Sequence, residues 1–184
     1  MRMTKFDCIA MKREGSLKVS QRLAGMTLDE QLAFWQAGTT RLTQCQEKLL
    51  LQEISRFLGV WHLIPEQSAY EVGTPPLSGQ YQIVQNGIEL TFTMMWVDEA
   101  GQEQATSHIE RCDGRFYPYN NPAIADDRCL KLRHERLLES LVRKDGALVL
   151  ATIRELLVDS RLKVTIAGVL ESEQIYRNIS FYRR

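Results

Sequence analysis

The chain changes its period between Phe57 and Leu63. Before the run Phe57-Leu58-Gly59-Val60-Trp61-His62-Leu63, apolar residues recur every three, four or seven positions, the spacing of a helix face. After it, apolar and polar residues alternate, the spacing of a half-buried strand. No single regular element carries both patterns. The sequence therefore predicts a helical N-terminal arm over residues 1–57 and a strand-built part over residues 58–184.

In the arm, Gly25 is a stop signal for a helix over residues 8–24, and Thr27 with Glu30 three residues on forms a capping box that starts a second helix. From there Leu28, Leu32, Trp35, Leu42, Cys45 and Leu49 draw one apolar stripe, with Gly38 as a point where the helix breaks or bends. Such a stripe needs a cover. Two covers are open: the wall of the strand-built part, or a second molecule, which makes the arm a homodimer or partner surface.

Downstream, Ile88, Leu90, Phe92, Met94 and Trp96 fall on one face of a strand while Glu89, Thr91 and Thr93 fall on the other. Asn86-Gly87 joins this strand to the one before it as a hairpin turn with positive φ at both central positions. Turn signals then recur at hairpin spacing: Asp98 to Gly101, Asp113-Gly114, His134 to Arg136, Asp145-Gly146, Asp159-Ser160 and Glu171 to Glu173. Sequential hairpins with no helix between them predict an antiparallel meander, and a meander this long leaves two bare edges unless it curls. The expected fold is mainly β: an antiparallel up-and-down β-barrel of about 8–10 strands behind a helical arm.

Charge and cysteine usage narrow the function. The 23 Lys and Arg residues balance 23 Asp and Glu residues, which leaves no surplus for binding nucleic-acid phosphates. The first residues lack the continuous apolar core of a secretion signal, and no apolar run approaches the ~20 residues of a membrane span. The expected location is the cytoplasm. Cys8, Cys45, Cys112 and Cys129 form no Cys-x-x-Cys pair, and His62, His108 and His134 share no ligand spacing, so neither a metal nor another cofactor is expected. His108 and Cys112 share a strand face but lie too far apart along it for one zinc. A nucleophile elbow, a phosphate loop and a dinucleotide glycine loop are all missing, which points away from an enzyme.

Gly59-Val60-Trp61 opening the first strand, with an arginine at the end of the last, resembles the signature of the lipocalin and fatty-acid-binding-protein superfamily. The run Trp61-His62-Leu63-Ile64-Pro65-Glu66-Gln67-Ser68, then Tyr70-Glu71, Gly73, Pro75-Pro76, Ser78-Gly79 and Tyr81, is similar to bacterial lipocalin-like (calycin-type) β-barrel proteins. Tyr117-Pro118-Tyr119-Asn120-Asn121-Pro122 and Tyr182-Arg183 extend that likeness over nearly all of the strand-built part. The resemblance implies a closure device in which Trp61, set by Gly59, lies at the shut end of the barrel beneath a terminal arginine, Arg183 or Arg184, with Arg183 the first choice.

It also implies a small apolar or amphipathic ligand in the barrel, bound without chemistry. Phe92, Met94 and Trp96 are candidate cavity liners. The aromatic stretch over residues 115–127 offers Phe116, Tyr117 and Tyr119 as a lid, with Asn120 and Asn121 as amide contacts. The last strand offers two sets: Tyr176 and Asn178, with Ser180 and Tyr182, as hydroxyl and amide donors, or Arg177, with Ile175, Ile179 and Phe181, as a carboxylate anchor. His108 completes the candidate site, and either it or His62 would carry the chemistry of a less favoured enzymatic reading. A filled barrel whose helical stripe, centred on Trp35, carries the function is the competing expectation.

Overall fold

The computed structural model describes residues 7–119, 121–170 and 172–184. Two compact units divide between Gln46 and Glu47. Helix α1 (Cys8–Leu23) starts at Asp7, whose carboxylate accepts from the Ile9 and Ala10 amides at 2.9 and 3.0 Å and so satisfies two orphan donors. Helix α2 (Leu28–Ile54) opens with the capping box: the Thr27 amide donates to Glu30 at 2.7 Å, and Thr27 Oγ1 accepts from the Glu30 amide at 3.4 Å. Gly38 does not interrupt α2, which runs through it unbroken. A helix-interior glycine costs about 1 kcal/mol relative to alanine, too little to break a helix of 27 residues.

The second unit is a curled antiparallel sheet. Its strands are β1 (Gly59–Leu63), β2 (Ala69–Tyr70), β3 (Ser78–Asn86), β4 (Glu89–Val97), β5 (Glu103–Arg111), β6 (Phe116–Pro118), β7 (Asp127–His134), β8 (Leu137–Lys144), β9 (Ala147–Leu156), β10 (Leu162–Val169) and β11 (Ile175–Arg183). The hydrogen-bonded path is β5-β4-β3-β1-β11-β10-β9-β8-β7-β6, with the two-residue β2 added onto β11. First and last long strands meet, β1 against β11, as an up-and-down barrel requires. Between β5 and β6 the ladder is interrupted. The described links across that seam include a Gly114 amide bond to the Leu130 carbonyl at 3.0 Å and one from Arg128 Nη2 to the Ile109 carbonyl at 2.6 Å.

Turn chemistry sets the register. Asp145-Gly146 has both residues at positive φ and joins Lys144 directly to Ala147, the geometry that Asp-Gly favours. The turn after β3 is framed differently from expectation: Asn86 pairs with Glu89, so the two loop residues are Gly87 and Ile88, with Gly87 at φ 60°. A glycine-first turn needs the left-handed conformation only at its first position, so Asn86 stays in the strand.

Alternation puts Trp61, Tyr81, Ile83, Leu90, Phe92, Leu130, Leu138, Leu162, Val164 and Tyr182 inside, joined by Ile54 and Phe57 from the chain just before β1. This core fills the end of the barrel where the chain enters. Trp61 is 1% exposed, and its Nε1 donates to the Phe57 carbonyl at 2.8 Å. The arginine over it is Arg184, with its guanidinium carbon 4.5 Å from the ring centroid and Nη2 donating to the Arg56 and Leu58 carbonyls at 2.8 and 3.1 Å. Arg183 is not that residue. It pairs with His62 in register, next to inward Tyr182, so strand alternation turns its side chain out to solvent and returns the next residue to the ring.

Candidate functional site

The opposite end of the barrel is open. There a cavity of about 440 Å³ runs down from the loop after β6 to a polar floor. Its walls are Met94, Val142, Leu150, Val164 and Ile166, its rim includes Tyr119, Asn121 and Ile124, and its floor is made by Tyr81, His108, Glu110, Ser140 and Arg154. The floor follows from register. Arg154 of β9 is paired with Leu138 of β8 and Val164 of β10, both inward, so its side chain must also enter the barrel. His108 and Glu110 are two apart in β5 and share the inward face with their register partners Phe92 and Leu90.

Arg154 is 2% exposed. Nε donates to the Tyr81 hydroxyl at 2.5 Å and Nη1 to Ser140 Oγ at 2.8 Å, while the guanidinium lies over Phe92 at 4.1 Å from its centroid. Among the described residues no carboxylate comes within 4.0 Å of it, and its second terminal nitrogen has no hydrogen-bond partner. Burying a cation this far is tolerable only because three neutral partners solvate it, and it leaves the Nη2 donors for something else. Across the floor, His108 Nε2 lies 3.0 Å from Glu110 Oε1, and its ring stacks on Phe92 at 5.3 Å. Burial works to raise the Glu110 carboxyl, but the His108 bond, the field of Arg154 and the Ser140 hydroxyl outweigh it and hold the group below the ordinary carboxylate range. Burial pushes Tyr81 up despite Arg154, so the phenol stays neutral.

The residues expected to form the site separate. Met94, His108 and Tyr119 line the cavity. Trp96 lies higher, in a recess of about 280 Å³ shared with Met94, Tyr70 and Tyr182. Phe92 is fully buried beneath Arg154, where it fills space and offers a ring face. Tyr117 is away from the cavity, at the β5–β6 seam, with its hydroxyl on Asp113 at 2.6 Å and Arg111 over its ring. Residues 115–127 are not one long loop, because β6 pairs with β7 and fixes Phe116 under Arg143 at 3.6 Å. Asn121 sits at the rim, and Asn120 falls outside the described residues.

In β11 the set containing Tyr176, Asn178, Ser180 and Tyr182 faces inward. Arg177 therefore points out, exposed and away from the cavity; the buried arginine at the cavity floor is Arg154. Asn178 spends its amide on the segment after β2: Oδ1 accepts from the Glu71 and Val72 amides at 3.0 and 3.1 Å, and Nδ2 donates to the Val72 carbonyl at 2.9 Å. Tyr176 covers Gly168. His62 faces outward, in a surface groove of about 580 Å³ with Gln80, Met95 and Glu103. That groove is larger than the cavity but gathers no buried polar group.

Sequence reasoning missed Tyr81, Glu110, Ser140 and Arg154. In the run Leu148 to Leu156 apolar residues stand at both parities, so alternation alone cannot turn Arg154 inward. Glu110 carried a signal, since it shares a strand face with His108.

No protein-family model matches this chain, and no curated protein matches it. Among solved structures it is similar to a Schistosoma mansoni fatty acid binding protein in complex with arachidonic acid, at 14% identity and a TM-score of 0.48, over 72% of this chain and 98% of that one. A zebrafish ileal bile acid-binding protein complexed with cholic acid is similar at 12% identity and a TM-score of 0.43, over 70% of this chain and 98% of that one.

Proposed function

We propose that the barrel binds a small amphipathic molecule with an anionic end, placing that end on Arg154 and its apolar body along Met94, Val142, Leu150 and Ile166. One observation carries this reading: a guanidinium 2% exposed, with no carboxylate partner within 4.0 Å among the described residues, at the floor of a cavity whose upper walls are apolar. A buried cation gains most from a buried anion, and the apolar walls favour a ligand that brings its own hydrocarbon. The cavity volume suits a single medium-length chain. The reading is non-enzymatic binding.

Displacement of a fluorescent anionic amphiphile tests it, with dodecanoate and dodecanol as competitors of equal chain length. Dodecanoate should compete at least tenfold better than the alcohol, and Arg154→Gln should abolish that preference. Equal competition by both would overturn the assignment of Arg154.

A specific feature of α2 favours a second, additional role as a self-association surface. Leu28, Trp35, Leu42 and Leu49 recur at strict seven-residue intervals, and each is more than half exposed. That period, 3.5 rather than 3.6 residues per turn, is the one that a supercoiled partner helix selects. Sedimentation of the full chain should show a dimer that Leu42→Lys dissociates, whereas a monomer at tens of micromolar would exclude the role.

A further inference from the structure

Three described carboxylate oxygens are buried without a hydrogen bond: Oε2 of Glu53, Glu110 and Glu139. Two of them have a cation at hand. Glu53 Oε2 lies 3.4 Å from Arg56, and Glu139 Oε2 lies 3.3 Å from Lys131 and 3.4 Å from Arg133. Glu110 Oε2 has no hydrogen bond, and among the described residues no Lys or Arg nitrogen comes within 4.0 Å of that carboxylate. Its side chain is 6% exposed, its other oxygen is engaged by His108, and it lines the floor of the cavity. An ionised oxygen left bare in a low-dielectric site costs well over a kilocalorie unless something donates to it.

The floor thus presents two unfilled valences of opposite kind. Arg154 has a donor to spare, and Glu110 has an acceptor to spare. Ser140 stands between them, accepting from Arg154 Nη1 and helping to hold the Glu110 carboxyl low. A plain carboxylate ligand answers the first valence and worsens the second, because it brings another anion toward Glu110. A ligand whose hydroxyl sits one or two carbons from its acid group answers both at once.

Resting on the anionic-ligand reading above, we propose that the cavity selects hydroxy acids: amphipathic chains with a hydroxyl on the α or β carbon, the carboxylate on Arg154 and the hydroxyl donating to Glu110 Oε2. Glu110 is then a specificity determinant. It repels the unsubstituted acid and rewards the hydroxylated one, the asymmetry by which a site built to hydrogen-bond a hydroxyl rejects an analogue that lacks it.

The test measures Kd for dodecanoate and its α-hydroxy and β-hydroxy analogues, with the wild-type chain, Glu110→Leu and Glu110→Gln. In wild type at least one hydroxy acid should bind about tenfold or more tightly than dodecanoate, the scale of one hydrogen bond to a charged group. In Glu110→Leu that preference should vanish while dodecanoate binds more tightly, since a like charge has gone. Glu110→Gln should fall between the two and serves as the shape-preserving variant if the leucine variant does not fold. Dodecanoate binding with no hydroxyl preference would overturn this inference and leave the anionic-ligand reading standing. A preference that survives both substitutions would remove Glu110 from the role. Failure of all three acids to bind would overturn the reading and the inference together.

Discussion

Arg184, the last residue of the chain, lies over the indole of Trp61 at 4.5 Å and donates to the Arg56 and Leu58 carbonyls on either side of Phe57. One side chain thereby joins the end of β11 to the segment that enters β1, and it shields a ring whose own Nε1 is tied to Phe57.

That joint has unequal halves. Trp61→Ala empties the largest fully buried side chain of the core and should cost about 3–5 kcal/mol in urea unfolding. Arg184→Ala loses a partly solvated cation–π contact and two carbonyl bonds and should cost about 1 kcal/mol. Arg183→Ala should leave the midpoint unmoved. A larger effect at position 183 than at 184 would contradict the assignment.

Gly168 is required by closeness. A Cβ there would stand 2.7–2.8 Å from the ring of Tyr176. Gly168→Ala should destabilise by about 1–3 kcal/mol through overpacking, and Tyr176→Ala in the same chain should relieve part of that loss. Strictly additive effects of the two substitutions, read from thermal unfolding, would separate the residues.

The pH dependence follows from Glu110. Its folded-state pKa lies below the ordinary carboxylate value, so the unfolded chain binds more protons through the acid range. The stability this contributes is complete above that ordinary value and is lost as pH falls through the lower, folded one. Asp126 and Asp127, held low by bonds from Lys144 and Arg143, share the trend. Urea midpoints should fall from about pH 6 toward pH 3, more gently in Glu110→Gln. An equal slope in that variant would mean that the buried carboxyl is not the one titrating.

The thiols should divide into pairs. Cys8 and Cys45 are exposed, while Cys112 and Cys129 are 1% and 2% exposed. Burial raises Cys112 to about 12 and also lifts Cys129, which suppresses the reactive thiolate. A disulfide reagent at neutral pH should therefore titrate two thiols quickly in the native protein and all four after unfolding. Rapid reaction of a third would show that the core around Cys112 and Cys129 opens.

The fold was legible because period and turn chemistry are local. The alternation of Leu90, Phe92 and Met94 gave β4 its inner face, and Asp145-Gly146 and Thr27-Glu30 set a turn and a helix start through their own backbone bonds. The polar floor was not legible. Whether Arg154 points in or out depends on its pairing with Leu138 and Val164, strands whose register is set by turns many residues away. Arg177 and Asn178 show the same limit. Both parities of β11 looked plausible until Tyr182 entered the core, and one residue of slip moves every side chain to the other face. Arg183 and Arg184 differ by that same single step.

The interrupted ladder beside β5 gives the barrel the mechanics of a hoop with a clasp. Everywhere else along the path its girth is fixed by consecutive backbone bonds that yield only together. At the seam it is set by separate fastenings, Arg128 on Ile109 and Gly114 on Leu130, which can be released one at a time. Arg128 also lines the cavity. The width of the cavity is therefore set on that side by a side chain as well as by backbone.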